Sequence, residues 1–81
     1  MRLAIDFEAQ AMHLHILDGR SVKTVDEDVG ILSDFDTSGR LIGVEVTNLG
    51  VLGKVPSLLK KHQVNHNIDF IALATAIGVK V

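Results

Sequence analysis

Ile31-Leu32-Ser33-Asp34-Phe35-Asp36-Thr37-Ser38-Gly39-Arg40-Leu41-Ile42-Gly43-Val44-Glu45-Val46 is the stretch that decides the fold. Two β-prone runs, Ile31 to Phe35 and Leu41 to Val46, flank Asp36-Thr37-Ser38-Gly39. Asp is favoured at the first position of a type I turn and Gly at the last. A glycine in the left-handed region at that point closes a short hairpin loop with a bulge. The spacing therefore predicts a β-hairpin, with Asp36 facing Arg40 as a surface pair worth roughly 0–1 kcal/mol. Simple alternation sends Ile42, Val44 and Val46 to the core and Leu41, Gly43 and Glu45 to the opposite face.

Toward the N-terminus the period of two persists. Leu3, Ile5 and Phe7 alternate with Arg2, Ala4 and Asp6, and Met12, Leu14 and Ile16 alternate with His13, His15 and Leu17. Both patterns predict half-buried strands. Glu8-Ala9-Gln10-Ala11 links them as a second hairpin. Asp18-Gly19 is a turn signal. Val22 to Val25 suits a brief strand, and Asp26-Glu27-Asp28 reads as a solvated acidic loop.

After Asn48 the composition changes. Leu49 to Gly53 reads as a flexible apolar connector. Pro56, well tolerated in a first turn, marks a short helix over Ser57 to Gln63 with Leu58 and Leu59 inward. Lys60 and Lys61 suit the negative pole of that helix. Asn67 is a candidate N-cap for a second helix over Ile68 to Ile77, ended by Gly78. Together these patterns predict one α+β domain over residues 1–81. Its β-rich part, 1–48, holds a small antiparallel sheet of four to five strands with two hairpins. Its helical tail, 54–81, holds two C-terminal helices.

Composition limits the function. A chain of 81 residues hides only about 60% of its unfolded surface, and this one has no cysteine to reinforce a thin core. Yet 47% of its residues are hydrophobic, and the second helix is apolar almost all round. Such a helix needs cover on most sides, so residues 68–79 are expected to pair chains in a homo-oligomer. A formal charge of −2 gives no basic footprint for nucleic acid. The longest apolar run, Phe70 to Val79, is too short to span a bilayer, and Met1 to Phe7 is no signal peptide. A cytoplasmic protein without membrane or nucleic-acid partners is the expectation.

Several constellations bear chemistry. His13 and His15 share a strand face, a spacing that can ligate zinc or copper if Asp34, Asp36 or Glu45 supplies a carboxylate. No third ligand is set by spacing, so the ordinary reading is a solvated face. Asp34 and Asp36 form a carboxylate pair that acid–base chemistry could use only in a cleft. His62 and His66 are four apart, but Asn65 interrupts the helix between them. No serine stands in a nucleophile elbow and no glycine motif cradles phosphate. No metal or cofactor is implied, and an enzyme is the less favoured reading. Candidate ligand-binding residues are His13, His15, Asp34, Asp36 and Glu45.

The run from Asp34 to Val46 resembles the signature of a bacterial and archaeal family known as domain of unknown function 2283. Its pattern is Asp, hydrophobe, Asp, two turn residues, Gly, a basic residue, two hydrophobes, Gly, hydrophobe, Glu, hydrophobe. Asp6, Ala11, Met12, Leu14 and Ile16 are similar to the family's opening hairpin, with Gln10 and His13 departing from it. The resemblance covers residues 1 to 49 and leaves the helical tail outside. It implies a small β-rich protein without an established activity, and, from the toxin-like neighbours of some members, an antitoxin or regulatory partner. The leading expectation is a small non-catalytic binding or regulatory protein acting as a homo-oligomer. The alternatives are a metal- or small-ligand-binding protein or hydrolase using His13, His15, Asp34 and Glu45, and an antitoxin-like partner of a small toxin.

Overall fold

A computed structural model describes residues 1–78. It shows an antiparallel five-stranded sheet followed by two C-terminal helices: β1 (Arg2–Asp6), β2 (Ala11–His15), β3 (Lys23–Asp28), β4 (Ile31–Phe35), β5 (Leu41–Val46), α1 (Val55–Lys61) and α2 (Phe70–Ala76). In space the strands run β1-β2-β5-β4-β3. The last strand of the sheet in sequence is thus the central one, which is why five of its six residues are buried.

The hairpin of β4 and β5 has the expected bounds, and Gly39 takes φ +79° with open space around it. Asp36 is more than a surface partner of Arg40. It is 7% exposed, and its Oδ1 accepts hydrogen bonds from the Ser38 and Arg40 backbone N–H groups. Its Oδ2 accepts from Arg40 Nε at 2.9 Å. The Arg40 backbone N–H leads in holding the Asp36 carboxyl below its ordinary range, against the opposing effect of burial. Protonating Asp36 would weaken every one of those bonds, so the turn is tightest above the carboxylate range.

The facing of β5 differs from simple alternation. Asp34 pairs with Gly43 but Phe35 pairs with Leu41, so Ile42 is an extra residue in the strand. One inserted residue reverses the side of everything before it. Leu41 therefore joins Val44 and Val46 in the main core, and Ile42 leaves it. Ile42 is covered on the other face, where Gly19 approaches its side chain. Gly19 has φ +155°, in the Asp18-Gly19 turn.

Leu49 to Gly53 is not a flexible connector. Leu49–Lys54 is a 3-10 helix that runs into α1, capped by Asn48, whose side chain accepts from the Gly50 N–H. Leu49 and Leu52 are 2% and 0% exposed. The run has three apolar side chains in four residues, and the core takes two of them. The first helix begins at Val55, earlier than expected, with Pro56 in its first turn. It ends in a Schellman arrangement. Val64 N–H bonds to Leu59 C=O and Gln63 N–H to Lys60 C=O, with Gln63 at φ +59°.

The second helix is shorter than expected. Asp69, not Asn67, is its N-cap, accepting from Ala72 N–H at 2.9 Å. Asn65 to Asp69 instead spans the gap between helices, where His66 Nδ1 accepts from the Ile68 N–H. Gly78 follows with φ +83°. Both helices and the 3-10 helix cover one face of the sheet. Leu52, Val55, Leu58, Leu59, Phe70 and Ala74 meet Met12, Leu14, Ile31, Leu41, Val44 and Val46 there in one core.

Candidate functional site

Helices cover the inner face, so side chains at the alternate positions form an open outer face. Register sets them in rows. Arg2 stands beside His15, His15 beside Gly43, Gly43 beside Asp34, and Asp34 beside Thr24. In the next row Ala4, His13, Glu45, Leu32 and Asp26 follow one another across the five strands. Of the five candidate residues, this face brings together His13, His15, Asp34 and Glu45. Asp36 is held apart in the hairpin turn by Arg40.

Gly43 is the low point of the face. A Cβ there would lie 3.3 Å from His13 Nε2, 3.5 Å from Asp34 Oδ2 and 3.5 Å from the Leu14 carbonyl oxygen. His13 and Asp34 thus lean in from the two flanking strands over the bare backbone. Asp34 Oδ1 accepts from Thr24 Oγ1 at 2.7 Å, with Ser21 Oγ at 3.5 Å. His15 Nε2 lies 2.9 Å from Asp18 Oδ1. Neither His13 nor Glu45 joins an ion pair among the described residues. No group of three or more His, Cys, Asp or Glu among the described residues could hold a metal ion. Beside these rows, an open groove of roughly 270 Å³ runs between Ala4, Asp6, His13 and Glu45.

A second polar cluster lies at the β3 edge, where the helices come down over the sheet. Asp26 pairs with Leu32 and Asp28 with Ile31, so Glu27 is the extra residue of a bulge. Lys23–Asp28 is thus a strand, and its acidic end is not a solvated loop. The Glu27 side chain is 8% exposed. Its Oε2 accepts from Lys61 Nζ at 3.1 Å and its Oε1 lies 3.0 Å from His62 Nε2. Burial pushes the Glu27 carboxyl up. The hydrogen bonds from Lys61 and His62, with Ser33 nearby, outweigh it and hold the group below its ordinary value of 4.5. The Ser33 hydroxyl itself is fully buried and has no hydrogen-bond partner within 3.5 Å among the described residues. His62 also meets the Phe35 ring edge-on at 5.4 Å.

His62 is thus held at the sheet edge and does not act with His66, which packs against Phe70. Sequence reading missed Glu27, Ser33, Lys61 and His62 as a unit. The available signal was faint: a bulged strand end on one side and a helix C-cap on the other, 35 residues apart.

A five-stranded antiparallel sheet, one face roofed by short helices and the other open, defines the class of protein. The family model described as "Protein of unknown function (DUF2283)" matches residues 2–49, more than half of the chain. The chain belongs to this family. The matched region is the sheet together with its first step into the 3-10 helix. No curated protein and no solved structure matches the chain. No helix among the described residues is long and apolar enough to cross a membrane.

Proposed function

We propose that the chain is a small non-catalytic binding or regulatory protein whose contact surface is the open face of its sheet. One observation carries this reading. Two signature residues, Glu45 and Asp34, the latter also bonded to Thr24, flank Gly43 on that face together with His13. Helix-covered faces build cores, whereas an open antiparallel face is free to meet a partner.

The chemistry of the face indicates the occupant. Asp6, Asp26, Asp34 and Glu45 lie on it with Arg2 as the strand cation. Such a surface suits a basic segment of a protein partner, because a guanidinium bonds carboxylates in forked pairs. His13 and Asp34 close over the buried Gly43, so a partner meets their polar edges and the Glu45 carboxylate rather than the glycine backbone. Apolar side chains left exposed elsewhere, Leu3 and Phe7 near β1 and Ile71 on α2, support a homo-oligomer.

A titration of isotope-labelled protein with a tri-arginine peptide, followed by NMR, tests the reading. Shifts should concentrate at residues 11–15, 32–34 and 43–45. Gly43→Ala displaces His13 and Asp34 without removing a charge, and should weaken binding severalfold. Shifts spread evenly over the molecule, or equal binding by Gly43→Ala and the parent, would overturn it.

A further inference from the structure

The free edge of β1 is complementary to itself. Ile16 N–H bonds to Ile42 C=O, in register with the pairs Leu14–Val44 and Met12–Val46. In an antiparallel ladder these alternate residues of β2 turn their backbone groups toward β5. Ala11, His13 and His15 then turn theirs toward β1, to Asp6, Ala4 and Arg2. Leu3 and Ile5 are left with N–H and C=O groups directed outward along an edge that no strand among the described residues pairs with.

We propose that two copies of the chain pair β1 with β1 antiparallel about a two-fold axis at Ala4. In that register Leu3 N–H meets Ile5 C=O of the second copy, and Ile5 N–H meets its Leu3 C=O, in both directions. Arg2 then stands opposite Asp6 of the second copy, and the small Ala4 faces itself. Arg2 and Asp6 occupy non-hydrogen-bonded positions, where opposed side chains approach most closely. Asp6 Oδ1 already accepts from Ala9 N–H, and Oδ2 is the atom that takes the guanidinium. Met1 and Phe7, 50% and 59% exposed, extend the same apolar complementarity at the two ends. Shifting the axis to Leu3 or Ile5 would set Arg2 or Asp6 opposite Ala4 and lose the charge match.

The axis is perpendicular to the sheet, so both sets of helices fall on one side. The two open faces merge into one surface across a continuous double-width sheet. The pairing rests on the homo-oligomer reading above and assigns its contact to β1.

Charge exchange tests it. Sedimentation velocity of the parent chain from roughly 10 µM to 1 mM should show a reversible dimer, as expected for a small interface. Arg2→Glu and Asp6→Lys should each weaken self-association roughly tenfold or more, because attraction becomes repulsion at both ends of the ladder. An equimolar mixture of the two variants should recover the dimer, since each introduced charge then faces an opposite one. Circular dichroism confirms that each variant is folded. A dimer untouched by either variant but lost on Ile71→Glu would overturn the β1 contact and leave the homo-oligomer standing. A parent chain that stays monomeric throughout the range would overturn both.

Discussion

β3 closes one edge of the sheet with a bulge at Glu27 and two exposed aspartates, Asp26 and Asp28, and three side chains from the helical half reach across it. β1, at the other edge, has a regular register, no bulge, and no further strand paired to it among the described residues. Exposed edges recruit other strands, and charge, bulges and covering segments are the devices that prevent it. One edge of this sheet carries all three devices; the other carries only the charges of Arg2 and Asp6, which are opposite in sign and would match rather than repel in a second copy. The contrast separates an edge that serves the fold of one chain from an edge available to a second.

The largest expected break in that contrast is Glu27→Ala. It removes the acceptor for Lys61 and His62 in a site that is nearly buried, and should cost about 2 kcal/mol in urea unfolding. An unchanged midpoint would mean that the helices do not hold β3. Acid should act on the same edge. Glu27 and Asp28 are both held below their ordinary values, Glu27 against its own burial and Asp28 led by the Val29 N–H. A depressed carboxylate stabilises the fold above its unfolded pKa, and that contribution is lost as pH falls through the folded value. Stability should thus decline from about pH 4.5 downward, and Glu27→Gln should flatten the decline when urea midpoints are compared across pH.

Smaller effects sharpen the comparison. Ser33→Ala deletes a buried hydroxyl that has no partner among the described residues and should raise stability by about 1 kcal/mol. A loss instead would assign that hydroxyl to Glu27 as a working donor. Gln63→Gly relieves a left-handed residue at the end of α1, which sets His62 on the edge. A gain of about 0.5–1 kcal/mol is expected by thermal melting. At the open edge, Arg2→Glu should shift the unfolding of dilute monomer by no more than about 0.5 kcal/mol.

The hairpin bounds, the antiparallel class and the two helices were legible in sequence because local rules govern them. Asp36 and Gly39 specify a turn whatever surrounds it, and Pro56 admits only a helix start. The bulge at Ile42 was not legible. Leu41 and Ile42 are equally apolar, so no pattern says which one faces the helices. The 3-10 helix was hidden because glycines at 50 and 53 imitate a linker, while Leu49 and Leu52 are buried by distant contacts. In the candidate site, His13, His15, Asp34 and Glu45 could be named from strand parity. That Asp34 and His13 lean over Gly43 depends on β5 entering between β2 and β4, a topological choice. Glu27 and His62 meet across the chain, and neither one's local sequence mentions the other.

The misphased residue at Ile42 has a further consequence, in the order of folding. Closing the β4–β5 loop costs little entropy, because only a short segment is pinned. A plain hairpin could still zip one residue out of step. Here a slipped register would satisfy one half of β5 and invert the other, so it gains nothing. The central pair of the sheet can therefore lock in a single alignment within microseconds. Deleting Ile42 should slow refolding more than it speeds unfolding.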